Sequence, residues 1–285
     1  MTSVRKATKE DFDHIFPLFQ GFATHTQVNR QDWKKIFSPP WSGQREQFGY
    51  VLEDGNEAVG FLGTLYSLRM IQGEKREFCN LTSWIVRQDY RSESLSLLFP
   101  LMGGKDLTLT NFTASNLVIE VLLRLGFQSL EDHYRMILPL PVARGNITIT
   151  SDPEQIRPRL SGLEASIFQD HLPLHCRHVL LESSAGHCYL VLNPAIKRNL
   201  PVMFVDYFSD PGYFLRYIQQ IALHLCRQLH IYGLMVGEHS LGRKSLPLAL
   251  RIKRRHALLF KSRVVSPEDV DTLYSEIQVL GLKPV

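Results

Sequence analysis

Four cysteines in 285 residues, Cys79, Cys176, Cys188 and Cys226, with no C-x-x-C pair among them, are too few and too scattered for a disulfide framework. Free thiols in a reducing compartment are the reading they leave. No apolar run approaches the ~18 residues that a membrane span requires. The opening MTSVRKATKEDFD is polar and charged, unlike a signal peptide. A cytoplasmic protein is therefore expected. Neither sign of charge dominates: 32 basic against 28 acidic residues give a net charge of +4. That balance offers no strongly basic surface for nucleic acid, and it admits an acidic ligand such as a nucleotide cofactor.

What is present is a pattern used twice. Residues 3–7 alternate as a short strand; Thr8 is placed to cap a helix, with Asp11 three residues on and an apolar rhythm at Phe12, Ile15, Phe16 and Phe19. Near the middle, NITITSDPEQIRPRLSGLEASIF repeats this, with Ser151 or Asp152 as cap and Pro153 in the first turn. The stretch before it, LPLPVARGN, has the proline and glycine of a boundary.

Each half then continues alike. EDGNE and Gln72–Gly73 are turns between strands in the first, SSAG and AIKRN in the second. A strand, a loop and an apolar helix follow: FCNLTSWIV and SESLSLLFPLM in one half, PVMFVDYFS and GYFLRYIQQIALHLCRQLH in the other. Both end on a further strand, LTLTNFT and IYGLMVG. Duplication of a unit of about 140 residues is the economical reading, with one large mixed sheet as its alternative. An α/β fold of two tandem mixed-sheet domains, 1–142 and 143–285, is expected.

This order resembles the GCN5-related N-acetyltransferase family over nearly all of the first half and, less closely, the second. The most specific piece is WIVRQDYRSESLS. In that family the fourth strand enters an Arg/Gln-x-x-Gly-x-Gly/Ala loop that opens a helix and holds the pyrophosphate of coenzyme A. Arg91-Ser92-Glu93-Ser94-Leu95-Ser96 stands at that place, with serines for the glycines. RLGFQSLEDHYRMILPL, from Arg124, resembles the Gly-Phe turn and last strand that close such domains.

The resemblance implies an acyl-CoA-dependent N-acyltransferase in which an amine attacks the thioester directly. Backbone amides of Ile85 or Val86 would face the thioester oxygen, and Val86, Arg87, Arg91, Ser92, Glu93, Ser94, Leu95 and Ser96 would line the coenzyme A site. The usual acid, a tyrosine four residues before the glycine, is replaced by Leu122; Tyr134, His133 and Cys79 are the substitutes considered, Tyr134 first. The acceptor would be a small-molecule or peptide amine. Serine gives phosphate a hydroxyl but not the close backbone approach of glycine, and Glu93 opposes an anion. The rival reading is a catalytically silent binding module, or a transferase served by an acyl-carrier protein. In the second half PGYFLRY has no basic anchor and reads as a non-binding copy.

Other clusters are expected to be structural. His171, His175, Cys176, His178, His187 and Cys188 crowd one region, but Pro173 breaks the helix that would align the first two, so no metal is expected. RIKRRHALLFKSR reads as a charged edge strand, with Arg251, Lys253 and Arg255 on one face; an anionic acceptor or acyl-carrier surface is the sharper alternative. SPEDVDTLYSEIQVL reads as an exposed, capped amphipathic helix, and SPPWSG with Trp33 and Trp41 as a lid.

Overall fold

Local signals set the elements. The computed structural model describes residues 1–22, 28–130, 133–141, 146–242, 246, 249–254 and 257–282. Strand β1 (Thr2–Ala7) runs into a short 3₁₀ turn and α1 (Phe12–Phe19), and the Thr8 amide donates to the Asp11 carboxylate at 2.7 Å, as the capping pattern predicts. After α2 (Arg30–Lys34) come β2 (Gly49–Asp54), β3 (Glu57–Ile71) and β4 (Glu74–Val86), an antiparallel meander. The β3–β4 turn places Gln72 at φ 52° and Gly73 at φ 86°, the two positive values a tight two-residue hairpin needs. Then follow α3 (Phe99–Met102), β5 (Leu107–Asn111), α4 (Asn116–Arg124), β6 (Gln128–Ser129) and β7 (His133–Ile137).

The second series begins with β8 (Thr148–Thr150), α5 (Pro153–Ile156) and α6 (Gly162–His171). Asp152 caps α5, accepting from the Glu154 amide at 3.0 Å. Strands β9 (Arg177–Ser183), β10 (Gly186–Lys197) and β11 (Leu200–Phe208) form a second meander, closed at one end by Arg198 and Asn199, both at positive φ. Helix α7 (Pro211–Leu229), β12 (Leu234–Gly237), β13 (Ala249–Lys253), β14 (Leu259–Lys261) and α8 (Glu276–Val279) complete the chain.

Two seven-stranded mixed sheets result. The first is ordered β1-β2-β3-β4-β5-β14-β6, the second β13-β7-β12-β11-β10-β9-β8. One strand in each comes from the other end of the connectivity: β14 lies between β5 and β6, and β7 between β12 and β13. The closing strand of RLGFQSLEDHYRMILPL therefore completes the second sheet, not the first. The first compact unit is Met1–Gln128 with Leu259–Ser266 and Tyr274–Leu282; the second is built on Ser129–Leu258 and Pro267–Leu273. The linker residues 142–145 lie outside the described residues.

In the first unit, α1 and α2 press an aromatic core onto β2 and β3. Trp33 stacks on Phe19 at 4.5 Å, and Phe37 on Phe61 at 5.5 Å. Trp33 is thus core rather than lid, and Trp41 is pinned, its indole donating to the Tyr66 carbonyl at 3.0 Å. In the second unit, Phe214, Ile218, Ile221, Ala222 and Leu225 of α7 face the sheet, as their spacing predicts. β13 is an edge strand, with Arg251 paired to Glu238 at 2.8 Å; Arg255 lies outside the described residues.

The C-terminal stretch departs from expectation. Instead of an exposed amphipathic helix, Thr272 to Leu280 are all buried, and helix forms only over the four residues of α8. Ser275 and Gln278 cap it reciprocally.

Candidate functional site

Strand β4 pairs with β3 along its whole length but with β5 only from Glu77 to Asn80. Beyond Asn80 the two parallel strands part. Between Thr82 and Ile85, β4 takes three steps against two on β3, from Gly63 to Phe61, so it carries one extra residue. Ser83 absorbs that residue at φ 52°, a left-handed value unusual for a side chain other than glycine. The bulge re-aims the last residues of β4.

Alternation decides which amides face the opening. The Arg87 amide bonds back to the Val59 carbonyl of β3 at 2.9 Å. Successive amides along a strand point to opposite edges. The Val86 N–H therefore points away from β3, on the side β5 has left, while Ile85 points toward β3. Ile85 is further covered from the end of α1: a Cβ on Gly21 would come within 2.8 Å of its Cδ1.

Polar side chains gather where the strands part. Asn80 donates to Thr110 Oγ1 at 3.1 Å, and Asn111 to the Leu81 carbonyl at 3.1 Å. Glu276 joins them from the far end of the chain. Its amide donates to Asn80 Oδ1 at 3.1 Å, and its Oε1 accepts from Thr113 Oγ1 at 2.7 Å and the Phe112 amide at 3.3 Å. Glu276 is fully buried, and burial pushes its carboxyl above the ordinary carboxylate range against those hydrogen bonds. Sequence reasoning missed it, because nothing local marks a glutamate in a tail as a neighbour of residue 80.

The loop after β4 differs from the expected helix over 92–102. Gln88–Leu97 is wound as 3₁₀ turns, and α3 is a single turn. Pro100 supplies the reason: it has no N–H for the Ser96 carbonyl and its ring crowds it, so an α-helix cannot run through. Gly103 and Gly104 then end α3. Arg91, Ser92, Glu93 and Leu95 are exposed, while Ser94 and Ser96 are half-buried. Ser96 Oγ donates to the Glu93 carbonyl at 2.5 Å, and Arg87 is tied to Glu57 at 2.7 Å.

The expected acids scatter. Leu122 is buried in α4, whose end is the anticipated Gly-Phe turn: Gly126 sits at φ 86° and the Phe127 amide bonds to the Leu122 carbonyl at 3.0 Å. His133 and Tyr134 lie on β7, in the second unit; the Tyr134 hydroxyl accepts from Arg254 at 2.7 Å with the guanidinium 3.7 Å over its ring. Cys79 is buried, and burial drives its thiol up, away from thiolate chemistry.

The second unit repeats the parting. β11 pairs with β12 from Met203 to Val205 and continues unpaired on that side to Phe208. Asp206, just past the parting, accepts from Thr272 at 3.0 Å. Here a long helix does follow, but Asp210 caps α7 by accepting from the Tyr213 amide at 2.8 Å, and Pro211 removes a further donor. A carboxylate thus sits where a phosphate would bind. Asp210→Ala is expected to lower stability by about 1 kcal/mol, read as a shift in urea midpoint. Nearby, His178 is buried with its Nδ1 2.7 Å from the Tyr189 hydroxyl. Among the described residues, no three His, Cys, Asp or Glu side chains gather as a metal site would require.

No protein-family model matches the chain, and no curated protein matches it. Solved structures do. A protein of Enterococcus faecalis V583 described as a probable N-acyltransferase is 13% identical, covers 92% of this chain and 73% of its own, and superposes with a TM-score of 0.62. A GCN5-related N-acetyltransferase of Anabaena variabilis gives 8% identity, 92% and 72% coverage and a TM-score of 0.63. One from Kribbella flavida gives 11%, 91%, 70% and 0.58. At these identities the likeness is one of fold. The chain is an α/β protein with two mixed sheets, and its fold is similar to that of these N-acetyltransferases.

Proposed function

We propose that the first unit is an acyl-transfer site of the N-acetyltransferase kind, moving an acyl group from an acyl-CoA thioester to the amine of a small molecule or peptide. One observation carries this reading: β4 parts from β5 after Asn80 and turns the Val86 N–H into the gap. Bound there, acyl-CoA supplies an activated carbonyl. The Val86 amide is placed to donate to that oxygen as negative charge builds on it, a preorganised dipole that needs no rearrangement. Asn80, Thr110 and Asn111 hold the two strands at their parting, a fixed frame against which the acceptor nitrogen would be oriented.

The phosphates would rest on side chains rather than on a helix end. α3 has one turn and little dipole to offer. Arg91 is exposed and makes no ion pair with the described residues, so it is the free cation of the loop; Arg87 is engaged by Glu57. Ser92 and Ser94 would add hydroxyls, while the Ser96 hydroxyl is already engaged by the Glu93 carbonyl. Arg91→Ala is expected to weaken acetyl-CoA binding by about 1.5–3 kcal/mol, while Glu93→Gln tightens it. Calorimetric titration of both variants against the parent chain tests the assignment; unchanged affinity in Arg91→Ala removes that residue from the site.

The second reading keeps the fold without the chemistry, as a silent binding module or a transferase fed by an acyl-carrier protein. The serine-for-glycine loop, the single-turn α3 and the self-capped α7 favour it. Ser94→Gly with Ser96→Gly separates the two: tighter coenzyme A binding supports a weakened donor site, and unaltered absence of binding supports the module.

A further inference from the structure

The acyl-transfer site described above lacks an acid among the elements that usually carry one. Leu122 is apolar and buried, Cys79 is a buried thiol on the face of β4 opposite Asn80, and Tyr134 and His133 belong to the second unit. The C-terminal segment brings one in. Resting on that reading of the first unit, we propose that Glu276 is the proton-handling group of the transfer, giving its carboxyl proton to the departing thiolate.

The geometry is specific. Glu276 bridges the two strands at their parting, its amide on Asn80 of β4 and its Oε1 on Thr113 and the Phe112 amide at the end of β5. Two donors thus converge on one carboxyl oxygen. The other, Oε2, is buried and has no hydrogen-bond partner among the described residues. Buried polar atoms are rarely left so, and an unpartnered one at a functional parting marks where a substrate group completes the set. Oε1 accepts twice, so the acid proton resides on Oε2, the oxygen left free to give it away. Burial favours the protonated carboxyl by raising its pKa, and the groups hydrogen-bonded to this residue, Thr113, Phe112 and Asn80, are all uncharged.

The balance is simple. The amine nitrogen bonds to the acyl carbon as the carbon–sulfur bond breaks. Sulfur takes the proton from Oε2, and the carboxylate recovers one from the nitrogen, so nitrogen's proton ends on sulfur and Glu276 is regenerated. An acid of this kind works below its raised pKa and stops as pH rises through it.

The test measures thiol release from acetyl-CoA by the full chain, with water and a panel of primary amines as acceptors, across pH. Glu276→Gln keeps an oxygen for Thr113 and Phe112, so the variant retains the anchor. Its acetyl-CoA affinity is expected to stay within about twofold of the parent, its thiol release to fall by about 100-fold, and its alkaline limb to vanish. Thr113→Val, which leaves the carboxyl but loosens it, is expected to give a smaller loss with the limb retained. Parent-like turnover and pH profile in Glu276→Gln overturn the role of Glu276 alone. A folded parent chain that binds acetyl-CoA without releasing thiol to any acceptor also overturns it. A parent chain that fails to bind acetyl-CoA overturns the acyl-transfer reading, and this role with it.

Discussion

Expressed alone, residues 1–141 are expected to yield no monomer that unfolds cooperatively. Their sheet would lack β14, which pairs with β5 through Leu259↔Asn111, Phe260↔Thr110 and Lys261↔Leu109. It would also lack the buried tail. Leu259, Phe260, Ile277, Val279 and Leu280 are each at most 5% exposed. At about 2 kcal/mol for each buried side chain, their loss approaches about 10 kcal/mol, which is comparable with the whole stability of a domain. The orphaned β7 would add an unpaired edge and a route to aggregation. Thermal unfolding and size-exclusion chromatography read the outcome, and co-expression with residues 146–285 is expected to restore both sheets. A sharp transition from a monomeric 1–141 would show that β7 can fold back into the place of β14, making the exchange dispensable.

The second large effect is on acid stability. His178 is buried against Phe168 and Tyr189, and burial lowers its pKa from 6.5 to about 4. The unfolded chain binds this proton near pH 6.5 and the folded chain does not, so stability falls as pH drops from 6.5 toward 4 and levels off below. The shift corresponds to about 3 kcal/mol. Glu276 acts in the opposite direction, since its raised pKa favours the folded state at low pH. His178→Gln isolates the histidine: denaturant midpoints of parent and variant should converge at pH 4 relative to their separation at pH 7. Parallel profiles would mean that His178 is protonated in place.

Much of this fold was legible because its signals are local. Thr8 with Asp11, Asp152 with Pro153, and the turns at Gln72–Gly73 and SSAG each act within a few residues, and each appears where its chemistry placed it. The helical rhythm of α7 likewise names its own buried face. What escaped was non-local. HYRMI reads correctly as a strand, but pairing partners lie at Met235 and Leu250, and no local preference selects one sheet over another. Nor does propensity reveal that Glu276 accepts from Thr113. Between these cases stands Pro100: its effect on the preceding turn is local physics, and it was outweighed by an apolar pattern that suited a helix. At the site, Val86 was within reach of position alone, whereas choosing it over Ile85 required the Arg87–Val59 hydrogen bond.

The most direct measurement is an equilibrium titration of the full chain with acetyl-CoA, followed by hydrogen exchange of the saturated complex. Binding is expected, with new protection confined to the end of β4 and the loop, residues 82–97. No binding at about 1 mM ligand by a folded chain, or protection centred on residues 206–213 of the second unit, would contradict it.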